Sequence, residues 1–407
     1  MWLPRILLSL CLAAQASAAP LESVGPDAAP PAVSAHPPAE PATPRAPAEL
    51  LEMLPPRAAL PGAGAPTGVE LEYTIDPELD RQVQEVLKVG RVNLGHVILM
   101  NPSDGAILSY VSTDPTMFPA TRTYPTASLM KVVTAAAVMR HAPEAAKRDC
   151  RYAGSPYDVT NRHLRPPREG GRIDNFWRSL AISNNQCFAR LAVHDVGEEA
   201  MLEEMEHLGL LEPPAAGHAV GRVEPIESPL DLGHLGSGLA GSFISPLAAV
   251  RLASVLAEGK LVQPYWIERV TDESGRALLL PGREPPRAVL SAEVAAELRE
   301  LMVGVVARGT AKSAFRDPRG RPLLGPVRVS GKTGSLSGLD PKGRYEWFIG
   351  VAPAEKPTIA IATVVVNGPV WWRNASQISA LVLQRVFCPD SRCDPEAANR
   401  LHAAWQP

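Results

Sequence analysis

Ser128 and Lys131 stand three residues apart at the head of the apolar run TASLMKVVTAAAVM, residues 126–139. On a helix that spacing puts the two side chains on one side, a turn apart, so that the ammonium reaches the hydroxyl. A free lysine, with a pKa near 10.4, is no general base at neutral pH. Burial among Val132, Val133 and Ala135 to Ala137 favours the neutral amine, as does a second cation nearby. A shift of about three units corresponds to about 4 kcal/mol, within what burial supplies. A neutral Lys131 can take the proton of Ser128 and make it a nucleophile. The plainer reading is a surface serine and a lysine whose stem lies along an amphipathic helix.

Two further patterns follow once each, Ser183-Asn184-Asn185 and Lys332-Thr333-Gly334. Ser183 can relay a proton to a leaving group, and Asn185 can bind a peptide amide through its donor and acceptor ends. Ser and Asn are equally the commonest helix N-caps. A cation and a hydroxyl at Lys332 and Thr333 suit a carboxylate, and Gly334 allows close backbone approach. The next amide, that of Ser335, can pair with the amide of Ser128 as an oxyanion hole. Singly such patterns are weak, since a serine three before a lysine arises by chance roughly once in a chain of this size. Lysine is nevertheless scarce, 8 of the 40 basic residues, so arginine is the default cation. Lysine at 131 and 332 is informative because arginine does not release its proton.

The elements that must position these residues are readable in outline. An alternating strand covers about 69–75, with Asp76 as N-cap, Pro77 at the first helical position and an amphipathic helix to about Val89. LGHVILMNPSDGAILSYVS reads as a hairpin. A helix covers about 127–140, and 141–310 reads as helices and loops. Strands return in GPVRVSGKTG, YEWFIGVAP and TIAIATVVV, before a helix over about 375–386. The expected fold class is α/β in the α+β sense: a mainly antiparallel sheet built from both ends of one domain, flanked by helices, with an inserted all-helical lobe. Lys332 to Gly334 then lie on an edge strand facing the cleft between sheet and lobe.

MWLPRILLSLCLAAQASAAP supplies a basic residue, a short apolar stretch and Ala16-Ser17-Ala18, which together read as a cleaved secretory signal over 1–18. A lipoprotein reading would use Cys11, but Leu10 stands where a small residue is needed. Residues 19–68 are rich in Pro and Ala and read as a disordered tether. The domain is expected over 69–390 and a C-terminal tail over 391–407. After export an even number of cysteines remains, which suggests disulfides: Cys388 with Cys393 across the short CPDSRC loop, and Cys150 with Cys187 by elimination. No zinc or other metal site is expected, because only His402 lies near that pair. The formal net charge of −3, with no long charged block, recommends neither nucleic acid nor an anionic membrane. The oligomeric state is not legible. Trp371-Trp372 is expected to pack the last helix rather than contact glycan.

Ser-x-x-Lys, Ser-x-Asn and Lys-Thr-Gly in that order form a signature of serine acyl-transfer enzymes. With it, the chain resembles the transpeptidase domain of penicillin-binding proteins over about 70–386. YTIDPELDRQVQEVL, GSGLAGSFISPLAAVRLASVLAEGKLVQP, the GTA at 309–311, SGKTGS and EWFIGVAP carry the likeness. The resemblance implies acylation of Ser128 by a peptidoglycan stem ending in D-Ala-D-Ala, with release of the last D-Ala and transfer to an amine or water. It implies β-lactams as inhibitors, no cofactor, a periplasmic setting and room for loose membrane or cell-wall association through the tether. The long gap from Ser183 to Lys332 is similar to high-mass transpeptidases. No Glu-x-x-Leu-Asn box is present, EPIESPLDLG at 224–233 reading only as an acidic loop, so a β-lactamase-like hydrolase is the lesser reading. TASLMKVVT looks like a D,D-carboxypeptidase serine box, and no large pedestal precedes the domain, which keeps a D,D-carboxypeptidase open. A wall or β-lactam sensor that acylates without turnover is the non-enzymatic alternative.

Overall fold

The computed structural model describes residues 44–51, 53, 67–390 and 392–403, so the expected signal over 1–18 lies outside the described residues. A first strand, β1 (Val69–Tyr73), leads to Asp76, whose carboxylate accepts from the backbone N–H groups of Glu78 and Leu79. With Pro77 at the first helical position, helix α1 (Pro77–Val89) starts where its cap dictates. The hairpin follows as β2 (Leu94–Met100) and β3 (Ile107–Ser112).

The main sheet has five strands, all antiparallel, in the order β5-β6-β7-β2-β3, with β5 (Ser330–Leu339), β6 (Lys342–Ala352) and β7 (Ile359–Asn367) supplied by the C-terminal end. Strand β4 (Ile267–Asp272) lies outside it. Sheet assembly from both ends of the domain is therefore as expected, and β5 is an edge. One face of the sheet packs α1 and the last long helix, α9 (Ala375–Phe387), where Val83, Leu87, Ile378 and Leu383 meet Val97, Leu99 and Phe348. The other receives α7 (Pro246–Glu258) and α2 (Met130–His141), through Leu247, Val250, Val132 and Val133 against Ile98, Trp347 and Val364. Coverage on both faces explains why β2 and β7 read as nearly continuous apolar runs rather than alternating ones. Helix α8 (Ala292–Ala307) lies along the edge strand, receiving the Ser330 hydroxyl on the Arg299 carbonyl.

Between β3 and α7 lies the lobe, with α3 (Phe176–Ala181), α4 (Asn185–Arg190), α5 (Glu198–His207) and α6 (Pro229–Ser237) around α2. All residues from Met130 to Val138 are buried, as a helix apolar on every side but for Lys131 and Thr134 requires. Both disulfides are formed as paired from the sequence, Cys150 with Cys187 and Cys388 with Cys393.

The structure departs from the expectations in six places. The lobe carries short β-ribbons besides its helices, Cys150–Tyr152 with Arg172–Asp174 among them. β1 pairs with β4, inside a stretch read as helix and loop, instead of joining the main sheet. A bulge opposite the Glu72/Tyr73 step lets Ile267 and Val270, three residues apart, both point inward, and that spacing imitates a helix. Residues 229–237 form a helix, because Ser228 caps it and Pro229 occupies its first turn. The expected tether includes a docked piece: Arg45 bridges Leu279, and Leu50 is only 3% exposed against the core. The tail likewise docks, with Ala397 and Ala398 buried beside α9. Finally Trp371 and Trp372 are exposed, with the Arg91 guanidinium 4.2 Å from the centre of the Trp372 ring.

Leu50 tests the docked segment. Leu50→Ala is expected to lower unfolding free energy by about 2 kcal/mol, the lower end for a buried leucine. A denaturation midpoint equal to that of the parent chain would mean that residues 44–51 do not pack there.

Candidate active site

Ser128 sits in a single 3-10 turn, Ala127–Leu129, that feeds directly into α2. Ala127, immediately before it, has φ of 53°, a left-handed conformation that costs a non-glycine residue of order 1–3 kcal/mol and marks a backbone held by its surroundings. Lys131 lies one turn on and is completely buried. Its Nζ is 2.9 Å from Ser128 Oγ, 2.6 Å from Asn185 Oδ1 and 2.5 Å from the Ser237 carbonyl. Three oxygens match an ammonium with three hydrogens. They also match a neutral amine, which donates two hydrogens to Asn185 and Ser237 and turns its lone pair to the Ser128 O–H. Burial first, and the charge of Lys332 second, hold the Lys131 pKa well below its ordinary value, which favours the neutral form.

The second pattern is formed by the junction of α3 and α4. Ser183 has φ of 59°, and Asn184 is the N-cap of α4, accepting from the Cys187 N–H. Capping therefore falls to the middle residue and frees its neighbours. Ser183 Oγ accepts from Lys332 Nζ at 3.0 Å. Asn185 reaches the cavity, and within the protein its Oδ1 accepts from Lys131 while Nδ2 donates to the Tyr157 carbonyl at 2.8 Å. Because both ends are engaged within the protein, its first effect is to orient the amine. The Cys150–Cys187 disulfide ties α4 to the adjacent ribbon two residues beyond Asn185.

The third pattern lies on the edge strand as expected. Lys332 is completely buried, and burial brings its pKa down from 10.5 to about 7. Thr333 Oγ1 is 2.6 Å from Thr310 Oγ1, and the Thr310 N–H donates to the Ala181 carbonyl, so the loop after α8 joins β5 to α3. At Gly334 a Cβ would lie 3.2 Å from the Ala127 Cβ and 3.4 Å from the Ser128 nitrogen. The strand backbone thus passes close beside the nucleophile's amide, the approach for which glycine was expected.

These groups open on one cavity of 530 Å³, lined by Ser128, Ser183, Asn185, Thr333, Gly334 and Ser335, with Tyr157, Thr310, Arg344 and Glu346 among its other walls. Every expected site residue with a side chain at the surface of this cleft is brought together there, and Lys131 and Lys332 lie directly beneath. Among the described residues no group of His, Cys, Asp and Glu is arranged to hold a metal.

Sequence reasoning missed Ser237 and Gly238. Gly238 ends α6 with φ of 72°, and a Cβ there would come 2.0 Å from the Ala127 carbonyl oxygen and 2.9 Å from the Ser128 nitrogen. The signal was available in the glycines of GSGLAGS, which follow a helical stretch as a C-cap does.

A serine and a buried lysine beneath the edge of an antiparallel sheet define a serine acyl-transfer site. Residues 95–387 match the penicillin binding protein transpeptidase domain, and the chain belongs to that family. Among curated proteins it is 27% identical over 346 residues to peptidoglycan D,D-transpeptidase PbpA of Mycobacterium tuberculosis, covering 74% of this chain and 68% of the relative. It is 26% identical over 342 residues to stage V sporulation protein D of Bacillus subtilis, covering 74% of this chain and half of that one, 50%. Penicillin-binding protein A from M. tuberculosis, solved as an imipenem acyl-enzyme complex, superposes with a TM-score of 0.65 at 25% identity over 78% of this chain and 80% of that one.

Gly238→Ala tests the packing of α6 on the nucleophile. Its methyl group must displace the Ala127–Ser128 backbone, and a 1 Å displacement costs about 10²-fold in rate. The second-order rate of acylation by benzylpenicillin is expected to fall by at least that factor, with the protein still folding cooperatively; an unchanged rate would mean that Gly238 does not set the serine.

Proposed function

We propose that this chain is a serine D,D-transpeptidase that acts on the D-Ala-D-Ala ends of peptidoglycan stem peptides through an acyl-Ser128 intermediate. One observation carries the reading: a fully buried Lys131 amine lies 2.9 Å from Ser128 Oγ and is held from two other sides. The names of the relatives, D,D-transpeptidases and an acyl-enzyme complex, support it.

In the proposed reaction the terminal carboxylate of the stem lies against Lys332 and Thr333. Lys131 takes the proton of Ser128 as Oγ attacks the carbonyl carbon of the penultimate D-Ala. The oxyanion forms between the amides of Ser128 and Ser335. Ser183, in contact with Lys332, passes its proton to the departing D-Ala nitrogen and takes up in turn the proton held by Lys131, so Lys131 is neutral again as the C–N bond breaks to leave an ester on Ser128. An acceptor amine then attacks the ester carbon, neutral Lys131 takes its surplus proton, and that proton passes to Ser128 Oγ as the ester C–O bond breaks, leaving the new amide and the free serine. β-Lactams would open on the same serine. Residues 1–18 are proposed as an export signal to the periplasm, 19–68 as the tether, 69–390 as the catalytic domain and 391–407 as the tail.

Fluorescent penicillin should label the parent chain with a mass adduct on the peptide containing Ser128, and Ser128→Ala should not label. D-Ala release from a pentapeptide, measured with and without an acceptor amine, tests the acceptor. Cross-linked product supports transpeptidation, hydrolysis alone would make the chain a carboxypeptidase, and labelling without any release would leave only a sensor.

The pH dependence has a defined sign. Acylation needs neutral Lys131, whose pKa is lowered, so the rate is lost as pH falls through that pKa. Carboxylate binding needs charged Lys332, so kcat/KM for a peptide falls as pH rises through about 7 in the free enzyme. The expected kcat/KM profile is bell-shaped. A rate that climbs to pH 10 without a break would overturn this assignment of the two lysines.

A further inference from the structure

Beyond the three patterns, the cavity has a wall that the proposed reaction does not use. Arg344 and Glu346 project from β6 on the same side as Ser335, since Ser335 pairs with Glu346 and Ser337 with Arg344 across the β5-β6 ladder. Arg344 Nε donates to Ser335 Oγ at 2.6 Å and lies 3.5 Å from Glu346 Oε1. The other carboxylate oxygen of Glu346 accepts from Asn367 Nδ2 at 2.7 Å. The Glu346 side chain is only 14% exposed, whereas that of Arg344 is 64% exposed. Among the described residues neither Nη of Arg344 has a hydrogen-bond partner. A half-enclosed carboxylate and a forked donor therefore face the cavity side by side.

Position decides what they meet. β5 has one free edge, and an extended peptide with its C-terminal carboxylate at Lys332 and Thr333 runs antiparallel along it toward Ser337. The cavity, at 530 Å³, holds more than two alanine residues, and Arg344 and Glu346 are part of its lining. The residue that precedes the terminal dipeptide is the first to reach them. A side chain with an amine alone satisfies Glu346 and leaves a guanidinium beside its charge. A side chain ending in a free α-amino acid, ammonium and carboxylate on one carbon, satisfies both: ammonium to Glu346 Oε1, carboxylate to the two Nη groups.

We propose that Arg344 and Glu346 form a specificity subsite for a zwitterionic side chain, one ending in an α-amino acid, on the stem residue that precedes D-Ala-D-Ala. It rests on the D,D-transpeptidase reading. Ser335 then has two duties, its amide turned to the oxyanion and its hydroxyl holding Arg344.

Two pentapeptide donors identical except at the third residue, one 2,6-diaminopimelyl and one lysyl, test it through kcat/KM for D-Ala release. The parent chain is expected to prefer the diaminopimelyl donor by about tenfold, the worth of one charge-assisted hydrogen bond. Arg344→Gln and Glu346→Gln should each bring the ratio to within about twofold of one, and Arg344→Lys should restore part of it. Stoichiometric labelling by benzylpenicillin identifies variants that have folded, and the lysine variant keeps the comparison available if the glutamine one has not. Equal rates on the two donors in the parent, or an unchanged ratio in Arg344→Gln, would overturn the subsite alone. No D-Ala from either donor would overturn the activity and the subsite together.

Discussion

The site depends on two amines that cannot both be charged cheaply in a dry space. Lys131 and Lys332 are each completely buried, and each is pulled down in pKa by that burial. Lys131 additionally feels the charge of Lys332, so of the two amines it is the one beside Ser128 for which the neutral form is favoured by both burial and a neighbouring charge. An incoming carboxylate reinforces that difference, because it raises the Lys332 pKa by direct attraction. Substrate binding thus fixes the charge on one lysine without protonating the other. Arginine at either position would lose this division, having no accessible neutral form.

Keeping an amine dry and placed within hydrogen-bond reach of a hydroxyl requires a rigid surround, and the strained backbone shows where the rigidity is spent. Ala127 and Ser183 hold left-handed conformations at two of the serines that face the cleft, Ser128 and Ser183. Gly238 and Gly334 close on the first of these from opposite sides, one from the end of α6 and the other from the edge strand. Asn184, by capping α4, leaves Asn185 to orient Lys131. The nucleophile is therefore fixed by four separate elements, none of which supplies its reactivity.

Much of this was readable beforehand. Lysine scarcity singled out residues 131 and 332, apolar neighbours announced the burial of Lys131, and the cap-and-proline pair at Asp76-Pro77 placed α1 to the residue. The order of strands and helices was enough to put both ends of the domain in one sheet. What escaped depended on contacts distant in sequence. The Ser237 carbonyl reaches Lys131 across 106 residues, and a carbonyl has no compositional signature. Asn185 was read for its two-ended amide, which suits a peptide, and only the fold reveals that Lys131 and Tyr157 also lie at those ends. β4 was hidden by a bulge that lends a strand helical spacing, and the docked 44–51 segment by the proline and alanine around Leu50.

An open sheet edge is ordinarily a hazard, since its unpaired backbone groups accept any extended chain. In this protein the edge strand lies at the base of a cleft, which turns the hazard into a means of recognition. Backbone pairing along β5 is indifferent to sequence, so selectivity must come from the groups at its two ends. In the proposed reaction Lys332 and Thr333 receive a terminal carboxylate, which the interior of a chain does not offer. Toward the other end, Ser335, Arg344 and Glu346 present charge of both signs on side chains already bonded to one another and to Asn367. A ligand lacking a matching pair must desolvate Glu346 or Arg344 without replacing its water, a penalty that rises as the cleft fills. Between these two charged ends lie Gly334 and the amides of Ser128 and Ser335, which in the proposed reaction face the reacting carbonyl and, being backbone groups, do not discriminate between side chains.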